Sequence, residues 1–332
     1  MRVKIRMKHF IITVDTEGDY IWHTVHRSYG VREITVENAK YIERFQKLCQ
    51  KYHFIPTYLV NYEMAFAEPF VSFAREWAKS GKCEIGMHLH AWNTPPIFDF
   101  PYRRKSHNPY AGDYPPDVLF QKMRTMTEVI ESKFGIQPVS HRCGRWYLDE
   151  NVIRFLSQLG YIVDCSVTPG VSWETHIGYM MYGSDYTNFP MRAFCLKADT
   201  TKILEVPPSI VLKKSVGGLQ DWCNRIFFGC KEKPIAAWLR PNGRNLEDML
   251  RIVAQAESED SYLEFMIHSS ELMPGGSPTF PNKISIEKLY RDMDELFERI
   301  SDSYSGIALK DFANKQLLLA NRVYLPPRRK KS

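Results

Sequence analysis

Two histidines, His88 and His90, stand two residues apart in CEIGMHLHAW, residues 83–92. Imidazole nitrogens are common ligands of zinc and similar cations. Read at period two, Cys83, Ile85, Met87 and Leu89 fall on one side of a strand. Glu84, Gly86, His88 and His90 fall on the other, so both rings can reach one ion. Histidine pairs also occur on strands without an ion, so the pair needs company. VDTEGD, residues 14–19, supplies it with Asp15, Glu17 and Asp19. A divalent cation such as zinc is commonly held by three ligands of these types, with one position open to water. Glu17 or Asp19 can be the carboxylate ligand while another carboxylate takes a proton from the bound water. His268, which ends the apolar run LEFMIH, can protonate a leaving group. Hydrolysis of an amide or ester needs that division between base and acid.

These residues must be positioned by regular elements, and short apolar runs alternate with amphipathic segments along the chain. Strands are expected at 9–14, 54–60, 83–90, 137–142, 161–164, 202–207, 234–240 and 263–268, with a last short one near 307–310. Helices are expected at 35–52 with Thr35 as N-cap, and at 68–81, 115–135, 149–160, 245–256 and 285–300. This is about eight βα units with few hairpin signals. It predicts a parallel sheet wrapped by helices, closed as a barrel, with a doubly wound open sheet as the alternative. Segments 93–116 and 170–200 read as irregular loops. With no long linker, residues 1–332 are expected to form one domain, with a basic C-terminal tail over 324–332.

Most of the expected strands end in an ionisable residue: Asp15, His90, Arg142, Asp164, Glu205, Arg240 and His268. The C-terminal rim is where parallel barrels build their sites. Any one of these groups could be a structural ion pair; together they predict a site.

The bulk composition sets limits. The 332 residues are 44% hydrophobic and 25% charged, ordinary for a globular chain. The net charge of +6 is spread out, apart from the terminal RRKKS. No nucleic-acid partner is expected. The tail is expected to be solvated or to rest peripherally on an anionic membrane surface. The 7 cysteines are odd in number and lack a C-x-x-C pair, which predicts reduced, buried thiols. Cys143, beside Arg142, reads as a packed thiol. No signal peptide or membrane span is visible, so a cytoplasmic location is expected.

In order along the chain, ITVDTEGD, CEIGMHLHAW, SHRCGRWYLDENVIRFLSQLGYIVDCSV and LEFMIHSSEL resemble the four motif blocks of polysaccharide deacetylases. This is the NodB-homology group of carbohydrate esterase family four, and the look is nearest to its WalW-like branch. The resemblance spans roughly residues 9 to 315. It implies a distorted (β/α) barrel of seven or eight strands, a divalent metal, and removal of an acyl group from an N-acylated sugar. That sugar would be free, nucleotide-linked or lipid-linked, within polysaccharide or lipopolysaccharide synthesis. Carried over by position, Asp15 is the base, Glu17, His88 and His90 the ligands, and His268 the acid. Arg142 orients the base with Asp164. Two departures stand out. Thr16 separates two acids that are adjacent in the family, and Trp92 stands four after His88 where the second histidine is usual. His90 must take that place.

Trp92 and Trp146, with Trp22 and Trp173, lie just beyond strand ends, where rings can stack on sugar faces. Glu205 and Arg240 either bind substrate or pair with each other. Arg142 and Arg145 share one turn, and Arg142 is preferred for the site. Two rival readings accompany the deacetylase: a barrel that binds a glycan or partner without turnover, and a deacylase acting on a non-sugar amide.

Overall fold

The computed structural model describes residues 8–21, 34–100, 110–175, 181–198, 200–213, 235–257, 262–317 and 323–327. Twelve strands are found among them: Lys8–Thr16 (β1), Pro56–Val60 (β2), Glu84–Leu89 (β3), Ser140–Cys143 (β4), Val163–Asp164 (β5), Phe194–Ala198 (β6), Thr201–Glu205 (β7), Ile210–Lys213 (β8), Ile235–Trp238 (β9), Leu263–His268 (β10), Tyr304–Gly306 (β11) and Val323–Tyr324 (β12). The main sheet runs β10-β1-β2-β3-β4-β5-β7-β6-β12, with β11 beside β1. Every pairing in it is parallel except β6 with β7.

The ladder does not close on itself; the chain between β7 and β8 spans the gap. Val206 N–H donates to the Asp164 carbonyl at 2.9 Å, and Ser209 N–H donates to the Glu264 carbonyl at 3.1 Å. The result is an α/β barrel of the distorted kind that the resemblance implied, rather than the fully closed one expected from the alternation. Its interior is small and mixed. Ile11, Leu59, Val163, Leu204 and Val206 meet inside it. Phe10, Ile12 and Val14, the alternate residues of β1, pack outward with Ile42, Phe45 and Phe297 of the helices.

The helices that cover the sheet are Ile42–Lys51 (α1), Glu68–Lys79 (α2), Pro116–Phe134 (α3), Glu150–Gln158 (α4), Leu246–Glu257 (α5), Lys283–Ser301 (α6) and Leu309–Leu317 (α7). The expected strand near 307–310 is instead the approach to and start of α7; the strand of that region comes just before it, as β11, Tyr304–Gly306. This helix floors the barrel with Leu309 and Phe312. Leu309 N–H donates to Thr57 Oγ1 at 3.1 Å and Lys310 N–H donates to Glu84 Oε2 at 2.9 Å. Glu84 thus caps a helix N-terminus from inside the barrel.

Two more expectations change. The stretch 170–200 holds β6, whose antiparallel pairing with β7 breaks the βα pattern, and β8 pairs antiparallel with β9 outside the main sheet. Thr35 does not cap the first helix. A 3-10 turn, Glu37–Tyr41, precedes α1, and its first amides are taken by Asp19. The five described cysteines are free and buried, as expected; Cys223 and Cys230 lie outside the described residues.

Gly86 marks a tight contact on β3 below the rim. A Cβ there would lie 2.6 Å from the Ser140 carbonyl oxygen and 2.8 Å from Leu59. Gly86→Ala should therefore lower stability by about 2 kcal/mol, read as a shifted urea midpoint. An unchanged midpoint would mean that β3 is not held this close to β2 and β4.

Candidate functional site

The C-terminal ends of β1, β3, β4 and β10 open into a cleft of about 220 Å³, lined by Asp15, Glu17, His88, His90, Arg240 and His268 among others. Residues that alternate toward the barrel interior reach this rim: Asp15 on β1, His88 on β3 and His268 on β10. His88 and His90 share a face, as the period-two reading required. Their ring centroids are 4.6 Å apart.

Glu17, His88 and His90 converge. Their ligand atoms lie within 4.8 Å of one another. Glu17 Oε2 is 3.5 Å from His88 Nε2 and 3.2 Å from His90 Nε2. His88 Nδ1 donates to the Arg142 carbonyl at 3.1 Å, which leaves the Nε2 lone pair facing Glu17. Asn61 Nδ2 lies 3.3 Å from His90 Nδ1, while Asn61 Oδ1 accepts from Met64 N–H at 3.2 Å. Ligation through His90 Nε2 goes with the opposite amide orientation, Oδ1 toward Nδ1. Burial lowers the His90 pKa to about 4, so this ring is neutral at pH 7. Burial also opposes charge on His88, but Asp15 and Glu17 outweigh it and hold that ring above its ordinary value. Two imidazoles and a carboxylate, all buried, fit a borderline divalent cation such as zinc.

The structure separates the two candidate carboxylates. Asp19 is occupied elsewhere. It accepts from Thr35 Oγ1 at 2.7 Å, Glu37 N–H at 2.6 Å, Asn38 N–H at 3.0 Å and the Asn38 side-chain amide. Glu17 faces the imidazoles, and its backbone N–H donates to Ser269 Oγ at 3.1 Å.

Asp15 sits beside this group. Arg142 Nη1 donates to its Oδ1 at 2.6 Å and to Thr13 Oγ1 at 2.9 Å; Nη2 donates to Glu264 Oε1 at 3.0 Å. Burial would raise the Asp15 pKa, yet the Arg142 guanidinium, helped by His88 and His268, keeps it below the usual carboxylate value. His268 Nε2 is 3.7 Å from Asp15 Oδ2 and 3.9 Å from Glu17 Oε1. On its other side, Nδ1 is 2.9 Å from Arg240 Nη2 and 3.3 Å from Glu271 Oε2.

Asp164 and Glu205 are not in this cleft. Asp164 alternates with the inward Val163 and so faces the other side of the sheet. It takes His141 Nδ1 at 2.5 Å and the Ser166 N–H at 2.9 Å. The partner that shares Arg142 with Asp15 is Glu264. Glu205 accepts from Val167 N–H at 2.9 Å, and burial beside Asp164 pushes its pKa well up. It does not pair with Arg240, which Glu271 holds at 3.0 Å. Trp92 stacks on the His90 ring, centroids 4.3 Å apart, and Trp146 and Trp173 also line the cleft. Trp22 and the tail from 328 lie outside the described residues. Sequence reading passed over Asn61, Tyr110, Glu264 and Glu271. Only Glu271 carried a local signal, its place one helical turn after His268.

No known family model matches the sequence, and no curated protein matches it significantly. Solved structures do match in fold. A proposed polysaccharide deacetylase from Mycobacterium smegmatis aligns at TM-score 0.60 and 12% identity, over 97% of this chain and 94% of that one. A proposed glycoside hydrolase/deacetylase from Parabacteroides distasonis aligns at 0.63 and 8%, over 97% and 74%. The PuuE allantoinase aligns at 0.53 and 11%, over 96% and 93%. The chain has the NodB-type deacetylase fold.

Two predictions separate the ligands from their surroundings. His88→Ala and His90→Ala should each lose bound zinc, measured as metal per chain after dialysis; full occupancy in both would remove them from the ligand set. Asp19→Asn should keep one metal per chain while losing about 1–3 kcal/mol in urea unfolding, because buried amides lose a charged acceptor. Loss of metal at unchanged stability would exchange the roles of Asp19 and Glu17.

Proposed function

We propose that the chain is a metal-dependent hydrolase that removes an N-acyl group, most simply acetyl, from an amino sugar. The observation that carries this is the convergence of Glu17, His88 and His90 beside Asp15 and His268 in one aromatic-walled cleft. A divalent cation held by those three would polarise the acyl carbonyl and acidify a water. Asp15 stands ready as the base: Arg142 keeps it ionised and fixes the direction of its carboxylate, so it accepts the water's proton. His268 returns a proton to the departing amine from Nε2. In the imidazolium that gives up its Nε2 proton, Nδ1–H donates to Glu271, which Arg240 holds through their ion pair. Trp92 and Trp146 offer ring faces to a sugar.

The resemblance to the WalW-like branch supports a role in the cytosol, on free, nucleotide-linked or lipid-linked intermediates of a surface glycan. A basic tail near the membrane surface would suit the lipid-linked form. One domain over 1–332 is part of the same proposal. An allantoinase shares the fold, so a non-sugar amide is the second reading.

Acetate release from a panel of N-acetyl sugars tests the reaction. Asp15→Asn should lower kcat by about 100-fold or more with metal content retained, and His268→Asn by a similar factor. No release from any sugar, with turnover of a non-sugar amide, would favour the second reading. No turnover and no bound metal would leave a binding barrel.

A further inference from the structure

The two imidazoles at the cleft are not held alike. His88 lies inside the β3–β4 ladder, opposite Arg142, and its ring is fixed by the Arg142 carbonyl. The ladder ends at Leu89, opposite Cys143, so His90 stands one residue beyond it. The turn that follows fixes the His90 backbone instead. Its carbonyl accepts from Asn93 N–H at 3.3 Å, Thr94 N–H at 3.1 Å and Thr94 Oγ1 at 2.8 Å. The ring leans on the same turn through its stack on Trp92.

Two side chains tie that turn down. Asn93 donates from Nδ2 to Glu63 Oε1 at 2.5 Å. Lys122 of α3 takes two carbonyls: its ammonium donates to Thr94 at 2.7 Å and to Pro96 at 2.5 Å. The Tyr114 ring lies 4.7 Å from the same nitrogen. Among the described residues no carboxylate pairs with Lys122, yet it is fully buried, and burial pushes its pKa down to about 8. A buried charge without a counter-ion is costly, and an apolar side chain of the same reach would avoid that cost. Such a side chain would also give up the hold on both carbonyls.

We propose that Lys122 is a positioning residue of the metal centre. Its ammonium holds the Thr94 carbonyl, and the Thr94 hydroxyl and amide hold the His90 carbonyl. Through that relay it sets the reach of the second imidazole and the place of Trp92. This rests on the reading of Glu17, His88 and His90 as ligands. Partners behind the ligands of a metal commonly change its affinity by roughly 10–100-fold.

Zinc affinity of the full chain, measured by chelator competition, tests the proposal. Lys122→Met should weaken binding about tenfold or more, and Lys122→Arg, which keeps the donors, should recover part of the loss. Cobalt(II) in place of zinc adds a readout of ligand geometry, and its visible bands should shift in Lys122→Met. Arg75→Met is the control. Arg75 also donates to a carbonyl of α3, that of Lys133, but at the other end of the helix. It should keep wild-type zinc affinity and cobalt bands.

Wild-type affinity and bands in Lys122→Met would overturn the proposal. So would an equal loss in Arg75→Met, since the effect would then be general loosening. Should Lys122→Met fail to fold, Thr94→Val cuts the same relay one link nearer the ligand, and unchanged zinc affinity there is just as fatal. Zinc bound by the wild type tests the ligand reading, whereas the difference between variants tests Lys122. If the wild type binds no zinc, the ligand reading falls, and hydrogen exchange of the Thr94 amide still decides whether Lys122 holds the turn. Exchange about tenfold faster in Lys122→Met supports that hold, and unchanged exchange removes it.

Discussion

A guanidinium sealed inside the barrel organises this molecule. Arg142 is fully buried, and isolating such a charge from water costs several kcal/mol. The cost is offset by Asp15, Glu264, Thr13 and the Cys165 carbonyl, which together occupy Nη1, Nη2 and Nε. Those partners stand on β1, on β10 and just past β5. One side chain from β4 thus ties together the strands that shape the cleft. Its backbone contributes too, since the Arg142 carbonyl fixes the tautomer of His88. Removing the guanidinium would leave two carboxylates buried without their counter-ion.

The same ion cluster divides labour between its carboxyls. Burial raises both, but Asp15 gains from Arg142, His88 and His268 together and ends below its ordinary pKa. Glu264 has Arg142 and the Thr13 hydroxyl, and burial still holds it above. The cluster therefore favours charge on Asp15, at the rim, over charge on Glu264. That asymmetry would suit Asp15 to the proposed role of base toward the cleft, with Glu264 as its structural counterpart. It follows from position along the barrel axis: Asp15 reaches the open end, whereas Glu264 lies one turn of alternation and more below it.

Much of the fold was legible because most of its strands are apolar runs and its helices have clear faces. The period-two pattern of residues 83–90 put His88 and His90 on one face, and the structure keeps them there. What failed were decisions that depend on which face of a short strand is inward. Asp164 and Glu205 end strands at the expected places, yet β5 has only two residues and the alternation sends both carboxyls away from the cleft. The choice between Glu17 and Asp19 turned on a contact 18 residues away, the amide of Glu37, that no local pattern carries. The pairing of β6 with β7 hid in a segment of Pro, Tyr and Gly. Glu264 sits inside an apolar strand, where a carboxylate is tolerable only because Arg142 arrives from a distant one.

The measurement that bears most directly on this account is anomalous diffraction at the zinc edge from crystals grown with zinc. The account predicts one strong peak in the cleft, bonded to Glu17, His88 Nε2 and His90 Nε2, with Asp15 still on Arg142 and His268 outside the coordination sphere. A peak bonded to Asp15 or Asp19 in place of Glu17, or a cleft without a peak at saturating zinc, would contradict it.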